Sequence, residues 1–116
     1  MTKYDFTIKQ GVLFTKSVYW KDSDNTPYNL TTFTAKMQLR KDYDSEVIIE
    51  LSTDNGRITL DPLIGKVLLE LSDIETAALL PEDFPCVYDL ELINSGAVVT
   101  KRLLEGKIKL SREATK

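Results

Sequence analysis

Apolar and polar residues alternate along most of this chain, and the alternation is its main structural signal. In residues 34–40, for example, Ala35, Met37 and Leu39 alternate with polar side chains. Successive side chains of a β-strand point to opposite faces, so this pattern predicts strands with one buried face. Turn-forming residues recur every 8–12 residues or so, which predicts about seven to nine short strands. The positions expected to face inward are Tyr4, Phe6, Ile8, Val12, Phe14, Val18, Trp20, Ala35, Met37, Leu39, Val47, Ile49, Leu51, Ile58, Leu60, Val67, Leu69, Leu71, Cys86, Tyr88, Leu90, Leu92, Leu104, Ile108 and Leu110.

Short clusters of turn formers connect the predicted strands. Residues 22–27 and 94–96 are two such clusters. Asn55 and Gly56 form the pair that type I′ hairpins favour, because both central residues of that turn need a positive φ. Parallel neighbours need longer connections than these, so the strands are expected to be antiparallel. The sequence therefore predicts an all-β fold, an antiparallel immunoglobulin-like β-sandwich.

Some apolar residues fall on faces expected to point away from the core. Leu13 and Tyr19 lie on the second face of their strand, which indicates that both sides of that strand are partly covered. Ile48, Leu68 and Ile93 stand on otherwise polar faces. These three residues are candidate contacts between copies of the chain, as are unpaired strand edges.

One segment changes to a helical period. Ser72 and Glu75 fit a capping box, in which each side chain bonds the backbone amide of the other residue. Ile74 and Ala78 are four residues apart, so they share a helix face, and we expect this face to be buried. The sequence predicts one short helix near residues 73–80 that closes one end of the sandwich.

Composition limits the chemistry available. The length of 116 residues suits a single domain, residues 1–116, with a frayed tail at 111–116. The chain has no histidine and one cysteine, so it lacks the commonest general base and cannot form an intramolecular disulfide. We assign no catalytic, cofactor-binding or metal-binding residues, and we predict that the protein is not an enzyme and needs no cofactor.

Targeting and net charge exclude further classes. The first residues lack the apolar region of a signal peptide, and no apolar run approaches the roughly 20 residues of a membrane span. We therefore expect synthesis in a cytoplasm and no membrane contact. A net charge of −3 makes the chain a poor phosphate binder, so nucleic acid is not an expected partner.

The charges are distributed unevenly along the chain. Residues 61–91 contain eight acidic residues and one lysine, whereas residues 100–116 contain six basic and two acidic residues. One interpretation is that the two segments lie close together in one sandwich and neutralise each other in part. The other is that the basic end of one copy meets the acidic patch of the next.

Two acidic loops are candidate cation sites. Asp22 and Asp24 place carboxylates at alternate positions, as calcium loops do. The segment lacks the glycine and the final glutamate of an EF-hand loop, and a polar hairpin turn explains it as well. Asp42, Asp44 and Glu46 form the second loop, which we interpret as a solvated surface.

Aromatic residues and the cysteine are the remaining candidates. Trp20, Tyr19 and Tyr28 cluster around residues 22–27 and could bind a sugar or anchor a protein partner. The alternative is that Trp20 belongs to the core and the tyrosines flank it. Cys86 has no histidine to lower the pKa of its thiol, so we expect it to be a small core residue.

Several segments carry a resemblance to a known family. They are IKQG (8–11), YWKD (19–22), TPYNLT (26–31), FTAKMQLR (33–40), GKVLLELS (65–72), ETAAL (75–79), VYDLEL (87–92) and VTKRLLEG (99–106). Their order resembles the small β-sandwich proteins of tailed bacteriophages and prophages, which occur in collars, baseplates and tail-fibre attachment regions. The N-terminal module of phage baseplate upper proteins is similar to a lesser degree. The resemblance spans about residues 4–110, with Asn25-Thr26 standing where the family often has Asp-Gly.

The resemblance implies a structural protein of the virion, made in the cytoplasm of the host bacterium. Such a protein assembles into rings or bridges a tail tube to fibres, through contacts with copies of itself and with other phage tail proteins. No functional residue is carried over, because the matched positions serve folding. A capsid decoration protein is the alternative structural role. A carbohydrate- or calcium-binding module that uses Trp20, Tyr28 and the Asp22/Asp24 turn is the alternative of another class.

Overall fold

A computed structural model describes residues 2–95 and 99–112 of the chain. The described residues form nine strands, one α-helix and two short 3-10 helices. The strands are β1 (Thr2–Lys3), β2 (Phe6–Lys9), β3 (Phe14–Tyr19), β4 (Phe33–Arg40), β5 (Val47–Ser52), β6 (Ile58–Asp61), β7 (Lys66–Leu71), β8 (Cys86–Asn94) and β9 (Val99–Ser111). Helix α1 spans Asp73–Ala77, and the 3-10 helices span Pro62–Ile64 and Pro81–Asp83.

The strands build two sheets. The larger sheet has the order β1-β9-β8-β4-β5, and β2 also pairs with β9. The smaller sheet has the order β3-β7-β6. The prediction of an all-β sandwich with one short helix is confirmed, whereas an immunoglobulin-like connectivity stays a prediction.

The N-terminal strands pair with the C-terminal strand in parallel. Thr2 of β1 aligns with Leu104 of β9, and Phe6 of β2 aligns with Ile108 of β9. The prediction of purely antiparallel neighbours is therefore wrong at this edge of the larger sheet. Short connections exclude a parallel pairing only between consecutive strands, whereas almost the whole chain separates β1 and β2 from β9, which is ample for a parallel pairing.

The turn at Asn55 and Gly56 joins the two sheets and does not close a hairpin. Strand β5 belongs to the larger sheet and β6 to the smaller one, and only Gly56 of the pair has a positive φ. The predicted type I′ hairpin is thus wrong. The Asn55 side chain explains the difference, because its oxygen accepts from the amides of Ser52 and Arg57 and its nitrogen donates to the Glu50 carbonyl. These bonds hold a wider turn and cover part of the free edge of β5.

Most positions predicted to face inward form the core. The central strands β4, β7 and β8 bury alternate residues, as the period-two pattern requires. The buried apolar residues are Ile8, Val18, Leu30, Ala35, Met37, Leu39, Leu51, Ile58, Val67, Leu69, Leu71, Leu79, Phe84, Cys86, Tyr88, Leu90, Leu92, Leu103, Leu104 and Ile108. Trp20 is half-buried and packs against this core, in agreement with its interpretation as a core aromatic.

Several edge positions depart from the predicted pattern. Tyr4 and Val12 are exposed although we expected both to face inward. Leu13 and Tyr19 are also exposed, so the second face of β3 is not covered. Strand β5 carries a bulge at Ile48, because Leu39 aligns with Ile49 while Arg40 aligns with Val47. The bulge shifts the strand by one residue and leaves Val47 exposed.

Helix α1 begins as the sequence predicts but buries a different residue. The Ser72 hydroxyl accepts from the Glu75 amide and the Glu75 carboxylate accepts from the Ser72 amide, so the capping box is confirmed. The helix ends at Ala77, and both Ile74 and Ala78 are exposed, which contradicts their predicted burial. A helix of little more than one turn has no continuous apolar face to bury.

Thr76 anchors the helix to the sandwich in place of Ile74. Its side chain is fully buried, and its hydroxyl donates to the carbonyls of Val12 and Asp73 at 2.9 and 3.1 Å.

The tail predicted to fray begins at Ser111, which is the last residue of β9 and aligns with Lys9 of β2. Residues 113–116 and the predicted turn glycine Gly96 lie outside the described residues.

Candidate functional site

The end of the smaller sheet near Tyr19 carries exposed aromatic and aliphatic side chains. Three segments meet there, because the Trp20 amide donates to the Gly65 carbonyl and the Tyr28 amide donates to the Trp20 carbonyl. The Trp20 and Tyr28 rings stack with centroids 4.1 Å apart, and Phe33 meets Trp20 edge-on at 5.9 Å. We call this surface the tyrosine end. Its members are Tyr19, Trp20, Tyr28, Leu63 and Ile64, all exposed except the half-buried Trp20.

A second apolar surface lies at the opposite end of the same sheet. Phe14 aligns with Leu71 at this end, whereas Tyr19 aligns with Lys66 at the other. The Val12 carbonyl accepts from Thr76, which places the loop before β3 against α1. We call this surface the helix end, and its members are the exposed residues Val12, Leu13, Ile74 and Leu80.

One of these two ends was predicted from the sequence. The spacing of the aromatic residues predicted a binding site at the tyrosine end. It did not include Leu63 and Ile64, because their exposure depends on the short 3-10 helix Pro62–Ile64. The helix end was missed, since Val12 and Ile74 were expected to be buried. The sequence signal that indicates the helix end is Thr76, a polar residue in the helix whose hydroxyl can donate to a carbonyl of a neighbouring segment.

The Asp22 turn is organised by its own carboxylate. Oδ1 of Asp22 accepts from the backbone amides of Asp24 and Thr26, both at 2.9 Å, and Asn25 adopts a positive φ of 66°. These bonds fit the interpretation as a polar hairpin turn. Across residues 2–95 and 99–112, no group of three or more histidine, cysteine or acidic side chains is placed to hold a metal ion.

The second acidic loop has a similar local organisation. Oδ1 of Asp42 accepts from the Asp44 amide at 3.0 Å, and the Ser45 amide donates to the Asp42 carbonyl at 3.1 Å. Asp42, Asp44 and Glu46 are exposed. The carboxylates therefore face solvent, as the interpretation of a solvated surface expects.

Cys86 is a core residue, as predicted. Its side chain is 1% exposed, and burial raises the pKa of its thiol to about 12. Only the thiolate is strongly nucleophilic, so this cysteine is unreactive at neutral pH in the folded protein.

The three residues proposed as contacts between copies are less available than expected. Ile48, Leu68 and Ile93 are all half-buried, and Ile48 packs against the core. Among the described residues, most of the large exposed apolar side chains lie at the two ends of the smaller sheet instead. The prediction that these three residues are exposed is therefore wrong, because the bulge in β5 and the neighbouring strands cover them in part.

The acidic and basic segments neutralise each other in part within one chain. Strands β8 and β9 are neighbours, and Arg102 of β9 lies 3.7 Å from the Asp89 carboxylate and 3.6 Å from that of Glu91. This arrangement matches the first of the two interpretations of the uneven charge. Arg102 is about half exposed, so these pairs are weak.

A depression of about 350 Å³ next to the helix end contains a charged pair. Arg57 Nε lies 2.5 Å from Oε2 of Glu75. The pKa of Glu75 is lowered, chiefly by the hydrogen bond from the Ser72 amide; burial, the second largest effect, acts in the opposite direction, and Arg57 lowers the pKa further. Both groups are thus charged and already paired, and they connect the turn at Asn55 to α1.

Two further findings concern the similarity of the chain to known proteins and its helices. No protein-family model matches the sequence, and no curated protein is significantly similar to it. Among the described residues, no helix has the length and apolar character that crossing a membrane requires.

Proposed function

We propose that this protein is a structural component of a bacteriophage virion, in a tail collar, a baseplate or a fibre-attachment region. It acts by self-assembly and by contacts with other tail proteins, without catalysis. It is made in the cytoplasm of the host bacterium and incorporated into the particle. The resemblance of segments such as 33–40 and 65–72 to phage β-sandwich proteins supports this role.

One observation carries the proposal: exposed apolar residues occupy both ends of the smaller sheet. Strands β3 and β7 have six residues each, so the tyrosine end and the helix end are separated by about 20 Å. Apolar side chains concentrated on a surface mark contact sites with other proteins. Two such surfaces at opposite ends suit a chain that contacts two neighbours at once.

The two ends differ in shape and composition, which favours a head-to-tail contact. The tyrosine end has stacked rings, whereas the helix end has aliphatic side chains around α1. When the helix end of one copy meets the tyrosine end of the next, the contact is heterologous and generates a ring or a filament. A ring is one of the assemblies that the resemblance to collar and baseplate proteins implies.

Complementary variants test the head-to-tail contact. Leu63→Asp places a charge on the tyrosine end, and Ile74→Asp places one on the helix end. Both side chains are exposed, at 76% and 77%, so the fold should tolerate the changes. In size-exclusion chromatography with light scattering we expect wild-type protein to form oligomers and each variant to be monomeric. An equimolar mixture of the two variants retains one intact pair of ends, so it should form dimers and nothing larger.

A matched control and a particle assay complete the test. Tyr43→Asp changes another exposed apolar residue, on the loop between β4 and β5, and should leave assembly unchanged. Mass spectrometry of purified phage particles from the strain that carries the gene should detect the protein in the tail fraction. A monomer at every concentration together with its absence from particles would contradict the proposal, and its presence in tail-free capsids would favour a capsid decoration protein.

A carbohydrate-binding module is the second candidate, and one observation favours it. Tyr28 remains 41% exposed while its ring stacks on Trp20, which is the kind of flat aromatic surface that sugars contact. A glycan panel followed by calorimetry with wild-type protein and Tyr28→Ala tests this role. Titration with calcium in the same buffer tests the Asp22/Asp24 turn. Absence of binding in both experiments removes this candidate.

A further inference from the structure

A groove of about 320 Å³ separates the free edges of β2 and β3. Among the residues that the structure describes, β2 pairs only with β9 and β3 only with β7, so each has a strand neighbour on one side. The groove therefore lies where the larger sheet and the smaller sheet come together without pairing. Free strand edges present backbone donors and acceptors that can pair with an added strand.

Aromatic rings form the floor of this groove. Phe6 of β2 and Phe14 of β3 stack with centroids 5.5 Å apart and nearly parallel planes, at 8°. Tyr88 packs edge-on against Phe6 at 5.0 Å, which fixes the floor to the core. Phe6 and Phe14 are half-buried, so part of their apolar surface faces the groove.

Two lysines line the same groove. Lys16 reaches across it from β3, where Nζ donates to the Tyr4 hydroxyl at 2.7 Å and lies 4.2 Å from the centre of the Tyr4 ring. Lys9 ends β2 and is exposed. Within residues 2–95 and 99–112, neither lysine forms an ion pair with a carboxylate.

The surroundings of the groove are also basic. Lys107 and Lys109 of β9 line a neighbouring depression on the other side of β2, together with Asp5. The Asp5 carboxylate already accepts from the Lys107 backbone amide at 2.8 Å. Glu70 lies opposite Thr15 on β7 but lines the depression beside the helix end and not this groove. The positive charge around β2 is therefore only partly compensated.

We propose that this groove binds an extended acidic segment of a partner protein, which adds a strand to the free edge of β3. Phe14 and Lys16 are two residues apart and share one face of β3, so on that face of the segment an apolar side chain beside Phe6 and Phe14 would be followed two residues later by a carboxylate that pairs with Lys16. A further carboxylate would pair with Lys9. Charge complementarity selects this partner, because an uncharged segment would leave the lysines unpaired and a basic one would be repelled. The inference goes beyond the assembly proposed above, since it concerns the strand edges that flank the groove, which shares Val12 and Leu13 with the helix end and no residue with the tyrosine end.

A pair of peptides tests the proposal directly. The first is an acetylated eight-residue peptide, Val-Thr-Glu-Thr-Val-Thr-Glu-Thr, which presents valine and glutamate in turn on one face, and the second has lysine in place of glutamate. In calorimetry at low salt we expect the acidic peptide to bind and the basic one not to bind. Amide chemical shifts in NMR spectra should change in Phe6–Lys9 and Phe14–Tyr19 and leave β5 unaffected.

Charge variants locate the contact. Lys16→Met and Lys9→Met keep the apolar stem of the side chain and remove its charge, and each should weaken binding by about fivefold or more. Lys36→Met removes an exposed lysine on β4, outside the groove, and should leave binding unchanged. Circular dichroism checks that all three variants fold. No binding of the acidic peptide, equal binding of the two peptides, or an equal effect of Lys36→Met would each overturn the proposal.

Discussion

The guanidinium of Arg57 contacts the carboxylate of Glu75, with 2.5 Å between Nε and Oε2. Glu75 is also the third residue of α1 and completes the capping box of that helix. Arg57 at the same time donates from Nη1 to the Glu50 carbonyl of β5, at 2.8 Å. The pair therefore links the edge of the larger sheet to the helix that follows β7 of the smaller sheet.

Removal of this link should destabilise the protein. Arg57→Ala leaves Glu75 without its cation and the Glu50 carbonyl with one donor fewer, so we expect the free energy of unfolding to fall by about 1–2 kcal/mol. Urea denaturation followed by circular dichroism measures the change. Arg112→Ala, at an exposed position, should stay within about 0.5 kcal/mol of wild type. An equal effect of the two substitutions would contradict a linking role.

Acid should weaken the same link. The pKa of Glu75 is lowered in the folded protein, so this carboxylate stabilises the fold above its unfolded value of 4.5, and the contribution is lost as the pH falls through its folded pKa. Glu75→Gln should therefore be less stable than wild type at neutral pH, and the difference should shrink below about pH 4.5. Urea midpoints of both proteins between pH 7 and pH 3 measure this difference. A difference independent of pH would contradict an ionic contribution.

The alternation of apolar residues was enough to predict the central strands. Val67, Leu69 and Leu71 are buried where the pattern placed them, because a strand in the middle of a sandwich has one face against the core and a fixed period. The capping box at Ser72 was also predicted, since all its bonds lie within four residues. Features that depend on local sequence were thus accessible from the sequence.

Features that depend on distant contacts were not accessible in the same way. The parallel pairing of β2 with β9 joins residues about a hundred positions apart, and no local signal specifies it. The exposure of Ile74 depends on the bond from Thr76 to the Val12 carbonyl, which forms only when two separate segments meet. The composition of the helix end therefore depends on a contact between separate segments, and the groove between β2 and β3 likewise depends on how the two sheets meet.

The burial of Cys86 predicts that its thiol reports on unfolding. With the pKa raised to about 12, roughly one thiol in ten thousand is ionised at pH 8, and the side chain is also closed to reagents. We expect no measurable reaction with a disulfide reagent such as dithionitrobenzoate in native buffer. In urea the rate should rise in step with the fraction unfolded from circular dichroism. Rapid labelling of protein with a native spectrum would show that the residue is accessible.

Substitution of Gly65 by alanine should destabilise the protein more than substitution of Gly56, because the two glycines differ in what surrounds them. Both have a positive φ, so alanine at either position costs about 1–2 kcal/mol of backbone strain. A side-chain carbon at Gly65 would also lie 2.5 Å from the Trp20 carbonyl oxygen, whereas at Gly56 it would meet nothing within 4 Å.

Gly65→Ala should therefore lower the free energy of unfolding by about 1–3 kcal/mol more than Gly56→Ala. Because Trp20 is the only tryptophan of the chain, its fluorescence gives a second measurement, and the emission should change in Gly65→Ala and not in Gly56→Ala. Equal destabilisation with unchanged emission would mean that the segments of the tyrosine end move apart freely. In that case the stacked Trp20 and Tyr28 rings would not be a rigid contact surface, and the head-to-tail assembly would lose its preformed partner for the helix end.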